Sequence, residues 1–298
     1  MDKTLILFIL MHRNLPADAM IRKLHSIFLI NLLITLSGVS FGQTIGNHTA
    51  KPFVLGRIDS IQSTELNETR ILNIYLPEGY SNDSIANYPV IYLLDGSADE
   101  DFIHIAGLVQ FANFSWVNWL PKSIVVGIAN VDRRRDFTYP TTIEKDKQDY
   151  PTTGHSNRFI AFLEKELQPY IHKKYSTNPS KTIIGQSLGG LLATEILFKK
   201  PAMFNHYIIV SPSLWWDNKS LLMHKPLFLE PSFRQQITVF VGVGNEGKIM
   251  ETDVRRLIDV VKKGSTVMPD FQYFANENHA TIFHLAVYKA FERFKSKR

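Results

Sequence analysis

Ser187 lies at the centre of the segment Gly185–Gly189, which reads Gly-Gln-Ser-Leu-Gly. The segment follows a short apolar run, Thr182–Ile184, and opens a helical pattern that continues to Lys199. A Gly-x-Ser-x-Gly sequence between a strand and a helix is typical of a nucleophile elbow, a turn so tight that the serine backbone is strained and only small residues fit beside it. The context favours the elbow over the other interpretation, a glycine-rich structural turn with an incidental serine. The sequence therefore predicts that Ser187 is a nucleophile.

A serine hydroxyl is a weak nucleophile without a base, so a histidine with an acid before it in the chain should complete the site. His279 directly follows the last predicted strand and precedes the last predicted helix, and we expect it to be the base. Glu246 is the first carboxylate after the predicted strand Ile237–Val243, where a triad acid belongs. Glu251 and Asp253 are alternative acids, although both could instead complement the dipole of the helix they begin. A Ser–His dyad without an acid also stays open.

Two backbone N–H groups should stabilise the negative charge that develops on the carbonyl oxygen of the substrate. The first is predicted to be that of Leu188, directly after the nucleophile. The second is predicted to be that of Ser97, in the loop after the strand Val90–Leu94, where a glycine permits a sharp turn. Asp95 begins this loop and precedes the nucleophile in the chain, so we expect it to fix the loop by hydrogen bonds rather than to act as the triad acid.

Two further segments follow predicted strands and could bind a substrate. The loop Asn130–Pro140 contains three consecutive arginines. Either its aspartates neutralise them, or Arg133 or Arg135 faces the site and binds an anionic or oxygen-rich group with its planar fork of donors. Trp215 and Trp216 follow another strand, where they could stack on an aromatic or sugar ring or could simply pack.

Composition limits the classes of function. The 298 residues carry 33 basic and 28 acidic side chains, and the arginine triplet is the one basic run, so nucleic-acid binding is not predicted. No apolar run is long enough for an integral multi-span protein. The absence of cysteine excludes thiolate nucleophiles, thiolate metal sites, disulfides and a lipoprotein anchor. The chemistry must use hydroxyls, carboxylates and imidazoles, and no metal or organic cofactor is implied.

The N-terminal segment has the pattern of a secretory signal. Two basic residues follow Met20, an apolar run spans Ile27–Val39, and small residues end the segment. This pattern predicts a cleaved bacterial Sec-type signal peptide over residues 1–42, with Met20 as the true start, and a periplasmic or secreted protein. The alternative is an uncleaved amphipathic anchor. Residues 43–298 are then predicted to form one domain.

Short apolar strands alternate with amphipathic helices along the mature chain, which predicts a mostly parallel sheet covered on both faces, with an antiparallel pair of strands first. In such sheets ligands bind beyond the carboxyl ends of the strands. The predicted strands are Phe53–Ile61, Thr69–Tyr75, Val90–Leu94, Ser123–Ile128, Thr182–Ile184, Tyr207–Val210, Ile237–Val243 and Asp270–Phe274, and the predicted helices are Glu100–Asn113, His155–Tyr175, Ser187–Lys199, Met250–Lys263 and Ile282–Lys295.

These motifs resemble those of the Putative esterase (esterase D-like) family of α/β hydrolases, and within it the branch of the ferric-enterobactin esterases and related bacterial hydrolases. Arg134 and Tyr139 depart from the pattern expected in that branch. The resemblance spans residues 53–295 and rests on the segments Tyr92–Gly96, Asn130–Pro140, Gly185–Gly190, Ser211–Trp216 and Glu277–His279.

The resemblance implies an α/β-hydrolase fold and a serine carboxylic-ester hydrolase that works through an acyl-enzyme. It implies Ser187 as the nucleophile, His279 as the base and Arg133 or Arg135 in the substrate pocket, but it does not assign the acid. Candidate substrates are a siderophore ester, an acyl or feruloyl ester on a glycan, and simple short-chain esters, with a thioester less expected in an exported protein. The alternative is a binding or scaffold protein that keeps the fold without catalysis.

Overall fold

The computed structural model describes residues 50–82 and 85–295. The chain divides after Phe53 into two units, and the account below concerns the second, from Val54 onward. The predicted signal peptide, residues 1–42, and the start at Met20 lie outside the described residues. That residues 43–298 form one domain therefore stays a prediction. No helix in the described part of the chain is long and apolar enough to cross a membrane.

Eight strands form one mixed sheet in the order β1-β2-β4-β3-β5-β6-β7-β8. Strand β2 pairs antiparallel with both β1 and β4, whereas all pairs from β4 through β3 to β8 are parallel. The strands are β1 (Arg57–Ser63), β2 (Glu68–Tyr75), β3 (Tyr88–Leu93), β4 (Ile124–Ile128), β5 (Thr177–Gln186), β6 (His206–Val210), β7 (Ile237–Gly244) and β8 (Val267–Phe274). The sheet of the predicted fold class is confirmed, including its antiparallel beginning.

Helices cover both faces of this sheet. The α-helices are α1 (Phe102–Ala112), α2 (Arg133–Phe137), α3 (Glu144–Asp149), α4 (Ser156–Phe162), α5 (Gln168–Lys174), α6 (Leu188–Lys199), α7 (Trp216–Lys219), α8 (Lys248–Val261) and α9 (Ile282–Lys295). One apolar core forms where α1 and α9 pack on the sheet. A second, larger core forms where α4, α6 and α8 pack on it. The central strands are therefore buried on both sides, as their continuous apolar runs predict.

The predicted helix His155–Tyr175 is divided. Helix α4 passes into a π-helical turn, Leu163–Leu167, before α5 begins. Pro169 explains the change, because it has no N–H to donate in the regular α-helical pattern. The backbone N–H of Gln168 donates to the carbonyl of Leu163, five residues earlier.

The loop after β4 is more ordered than its sequence predicts, since it contains α2 and α3. A buried ion-pair network holds α2 against β2. Arg70 is fully buried and pairs with Asp136 of α2. Its Nη2 also lies 2.5 Å from Oε1 of Glu68. Removing one partner of such a buried pair leaves an uncompensated charge. The network therefore fixes α2, and α2 presents arginines to the edge where β3, β4 and β5 end.

Candidate active site

Ser187 lies where β5 ends and α6 begins, with backbone angles φ 57° and ψ −118°. This strained geometry is held because the Ser187 N–H donates to the Val210 carbonyl at 3.1 Å. A Cβ atom at Gly185 would stand 2.4 Å from the carbonyl oxygen of Gly189, so only glycine fits there. The segment thus has the backbone geometry of a nucleophile elbow and presents Ser187 at the carboxyl edge of the sheet.

The N–H of Leu188 is the first of α6, and no described residue accepts a hydrogen bond from it. An unpaired N–H at a helix N-terminus can stabilise a negative charge beside the nucleophile. Ser97, the second predicted donor, is placed differently. Its N–H donates to the Glu100 carboxylate at 3.3 Å, and Ser97 lines neither of the two cavities at Ser187 described below. The structure therefore brings Leu188, but not Ser97, to a cavity that Ser187 also lines.

Glu246 follows β7 and contacts His279. Its Oε2 lies 2.5 Å from Nδ1 of the imidazole, and its Oε1 accepts from the Ser211 hydroxyl and, at 3.0 Å, from the Gly244 N–H. The Glu246 side chain is 3% exposed and that of His279 is 47% exposed. Burial raises the pKa of the Glu246 carboxyl, but the hydrogen bonds from His279, Ser211 and Gly244 outweigh burial and hold that pKa below its usual range. Glu246 is therefore an ionised carboxylate in contact with the imidazole.

The two alternative acids lie elsewhere. Asp253 is buried and pairs with Lys219, whose Nζ is 2.8 Å from Oδ1. No hydrogen bond or ion pair joins the Glu251 carboxylate to any residue in the described ranges. Of the three carboxylates considered from the sequence, the structure brings Glu246 alone to His279.

Ser187 and His279 line one cavity of about 310 Å³, here called the histidine cavity. Its other lining residues are Asp95, Glu100, Asp101, Arg133 and Gln186. Within the described residues no hydrogen bond joins the Ser187 hydroxyl to the imidazole, and the Ser187 Oγ instead lies 3.2 Å from the Ser213 Oγ. In serine hydrolases in general, the hydrogen bond between the catalytic serine and histidine is often long or absent before a substrate binds.

Arg133 stands between the histidine cavity and a second cavity at Ser187. Its Nε and Nη2 donate to the two Asp95 carboxylate oxygens at 2.6 and 2.8 Å, and Asn130 donates to the same carboxylate. Burial disfavours the charged guanidinium, but the Asp95 carboxylate outweighs burial and raises the pKa of Arg133. The guanidinium is therefore a fixed positive charge, and no described residue accepts from its Nη1. The Asp95 side chain thus ties the loop after β3 to the loop after β4, whereas the sequence predicted that it would fix only its own loop.

The second cavity, here called the arginine cavity, has a volume of about 230 Å³. Arg134 stacks on the Tyr150 ring, with its guanidinium carbon 4.4 Å from the ring centroid, and the Trp215 side chain is 41% exposed. Trp216 is buried and donates its indole N–H to the Tyr139 carbonyl at 2.8 Å. The cavity thus combines cationic and aromatic groups. Its lining residues are Arg133, Arg134, Thr138, Tyr150, Thr153, Ser187, Leu188, Ser213, Trp215 and Trp216.

The structure does not bring Arg135 to either cavity. Its guanidinium donates to Asp136 at 2.8 Å and to Glu68 at 2.7 Å, so it belongs to the ion-pair network that anchors α2. In a helix of this kind neighbouring side chains point in different directions, and Arg133 and Arg135 are therefore separated although two residues apart.

Three residues at the site were not singled out from the sequence. Ser211 binds Glu246, Ser213 contacts the nucleophile, and Gln186 donates from its amide to the His279 carbonyl at 2.5 Å. All three lie in segments that carry the family resemblance, Gly185–Gly190 and Ser211–Trp216. Their position in these segments is the sequence feature that could have identified them, because a lone serine or glutamine does not by itself indicate a site. No group of three or more histidine or acidic residues in the described ranges could hold a metal ion.

Comparisons with known proteins identify the family of the chain. The family model described as "Putative esterase" matches residues 63–294. The chain is 28% identical over 263 residues to ferri-bacillibactin esterase BesA of Bacillus subtilis (strain 168), and the match covers 81% of this chain and 91% of that protein. The resemblance predicted from the motifs is confirmed.

Solved structures show the same fold. An IroE-like serine hydrolase from Shewanella oneidensis is 31% identical, with a TM-score of 0.73 over 80% of this chain and 79% of that one. The BES protein from Bacillus cereus is 27% identical, with a TM-score of 0.72 over 84% of this chain and 98% of that one. The predicted α/β-hydrolase fold is confirmed.

Proposed function

Because the chain belongs to the Putative esterase family and is a carboxylic ester hydrolase, we propose that it acts through Ser187 as nucleophile, His279 as general base and Glu246 as the orienting acid. The observation that carries the proposal is the contact of the buried Glu246 carboxylate with His279 in a cavity that Ser187 also lines. A carboxylate on Nδ1 leaves Nε2 as the ring nitrogen that can accept a proton.

The proposed reaction has two steps. In the first, His279 takes the proton of the Ser187 hydroxyl while Oγ attacks the ester carbonyl, and the alcohol leaves with the proton that His279 returns. In the second, His279 takes a proton from water, the hydroxide attacks the acyl carbon, and Ser187 Oγ leaves and regains a proton from His279. Glu246 stays ionised and stabilises the imidazolium in both steps.

The oxyanion of each tetrahedral intermediate is proposed to accept from the Leu188 N–H. This N–H has no protein acceptor among the described residues and belongs to a helix N-terminus. For Ser97 to supply the second N–H, its hydrogen bond to Glu100 would have to be released first.

We propose that the substrate is a siderophore ester. The support is the arginine cavity, where Arg133, Arg134 and Trp215 suit an anionic aromatic or oxygen-rich group next to the nucleophile. Relatives named for this chemistry include ferri-bacillibactin esterase BesA and the siderophore triacetylfusarinine C esterase of Aspergillus fumigatus.

The test is a substrate panel on purified protein. It compares ferric enterobactin, iron-free enterobactin, a feruloylated sugar and p-nitrophenyl butyrate. The proposal expects the highest kcat/KM on a siderophore ester. A higher value on the feruloylated sugar would contradict the siderophore assignment, and absence of hydrolysis of every ester would favour the binding-protein alternative.

Arg134→Gln should raise KM for an anionic siderophore ester about tenfold, because it removes a charge-assisted hydrogen bond at an exposed position. It should leave KM for neutral p-nitrophenyl butyrate unchanged. Steady-state kinetics on both substrates check this, with Arg256→Gln as control, since Arg256 is exposed on α8 and lines neither cavity. An equal rise in KM for both esters would argue against charge recognition.

We propose that the protein is exported, on the support of the sequence pattern from Met20 to about residue 42. Expression from Met20 in a Gram-negative bacterium should give a shortened form in the periplasm or medium, with its N-terminus near residue 43. Cell fractionation and N-terminal sequencing check this. A full-length protein retained in the membrane fraction would favour the uncleaved anchor.

A further inference from the structure

Ser213 lies on the loop after β6, directly beside the nucleophile. Its backbone N–H donates to the Ser187 carbonyl at 3.0 Å, and its hydroxyl oxygen lies 3.2 Å from the Ser187 Oγ. The residue is 2% exposed, although it lines the arginine cavity. The Ser213 hydroxyl therefore contacts a reacting atom from a largely buried position.

Only one arrangement of the two hydroxyl protons leaves Ser187 ready to react as the nucleophile. Ser187 has a single hydroxyl proton, and in the reaction that proton passes to His279. Buried hydroxyls nearly always have a hydrogen-bond partner, and among the described residues Ser187 Oγ is the one partner of the Ser213 hydroxyl. With the Ser187 proton directed to His279, Ser213 must donate and Ser187 must accept.

The loop that carries Ser213 also contacts Glu246. Ser211, two residues earlier, has a positive φ of 42° and binds the Glu246 carboxylate through its hydroxyl. The Ser211 N–H donates to the Gly242 carbonyl at 2.8 Å, which ties the loop to β7. The loop is therefore fixed before Ser213 by the contacts of Ser211, and at Ser213 by its N–H bond to the Ser187 carbonyl, so the Ser213 hydroxyl is held in position before any substrate arrives.

We propose that Ser213 is a catalytic residue whose hydroxyl donates a hydrogen bond to Ser187 Oγ and stabilises the negative charge that this oxygen carries as its bond to the acyl carbon forms and breaks. The inference rests on the proposed role of Ser187 as nucleophile. Ser213 keeps its own proton throughout. His279 alone moves the protons: it passes the Ser187 proton to the leaving alcohol during acylation, and during deacylation it gives Ser187 Oγ the proton that it takes from water.

The effect should appear in both steps. In the acyl-enzyme Ser187 Oγ is an ester oxygen, which is a weak acceptor, whereas it carries negative charge in the transition states on either side. Loss of a hydrogen bond to a charged oxygen corresponds to about 10- to 100-fold in rate. Ser213→Ala should therefore slow acylation and deacylation by about this factor, with KM for the ester changed much less.

The experiment measures the burst and steady-state phases of p-nitrophenyl acetate hydrolysis by stopped flow. The variants are Ser213→Ala, Ser213→Cys and the control Ser123→Ala. Ser123 is equally buried and donates to the Pro121 carbonyl at 2.8 Å, just before β4 and so at the other end of the sheet. Because a thiol is a weaker donor than a hydroxyl, the wild-type protein should react fastest, Ser213→Cys more slowly and Ser213→Ala most slowly. The control Ser123→Ala should react at the wild-type rate. If the Ser213 side chain only filled space, Ser213→Cys would be as active as the wild-type protein.

Several outcomes would overturn the inference. Rates of Ser213→Ala within twofold of Ser123→Ala would show that the hydroxyl is dispensable. Faster reaction of Ser213→Ala would show that Ser213 holds the nucleophile away from His279. A rise in KM with unchanged rates would show that Ser213 contacts the substrate instead. Labelling of Ser187 by a fluorophosphonate, located by mass spectrometry, separates these failures from failure of the proposed function, because an unlabelled Ser187 would remove the premise itself.

Discussion

Ser187→Ala is expected to lower kcat for ester hydrolysis by about five orders of magnitude, the scale on which loss of one member disables a Ser–His–acid unit. The fold should be retained, because alanine is smaller than serine and the elbow is held by backbone contacts such as the Ser187 N–H to Val210 carbonyl bond. The measurement is kcat on p-nitrophenyl butyrate, with circular dichroism and Tm to check the fold.

His279→Ala should lose activity to a similar degree. The double variant should be no worse than either single variant, because the two residues act as one unit and their losses do not add. A Ser187→Ala protein that keeps more than a few per cent of wild-type activity would contradict the nucleophile assignment. A double variant far below both single variants would show that the two residues act separately.

The sequence alone predicts the features that depend on the order in which strands and loops follow one another along the chain. Parallel strands end at one edge, so residues that directly follow β5, β7 and β8 must lie close together. Ser187, Glu246 and His279 all follow such strands, and the structure places Glu246 against His279 and brings Ser187 into the same cavity. Strand β7 was recognisable from its continuous buried apolar run.

The features that the sequence did not predict depend on the direction of individual side chains. Arg133 and Arg135 have the same chemistry, and the difference between them arises from Asp95 and Glu68, which are distant in the chain. The Ser97 N–H was expected to be free, but Glu100 three residues later accepts from it. Local hydrogen bonds of this kind compete with functional ones, and sequence order does not show which prevails.

Glu246→Gln is expected to lower kcat by about four orders of magnitude with KM nearly unchanged. The carboxylate is buried, ionised and bound to Nδ1 of His279, so it selects the tautomer in which Nε2 can accept the Ser187 proton. A neutral amide can present its NH₂ group instead and favour the other tautomer. Because the pKa of the Glu246 carboxyl is held below its usual range, the carboxylate stays ionised at neutral pH, and its protonation should limit wild-type activity only at a pH below that at which an ordinary glutamate titrates.

The matched control is Glu251→Gln, which makes the same chemical change five residues later, where no described partner binds the carboxylate. It should leave kcat and KM at wild-type values. Asp253→Asn should lower Tm through loss of the Lys219 ion pair without lowering kcat. A fall of less than tenfold in Glu246→Gln would identify the enzyme as a functional Ser–His dyad. A dyad has a weaker base, which suffices when the leaving group is good, so that result would predict much higher kcat/KM for activated siderophore esters than for unactivated alkyl esters.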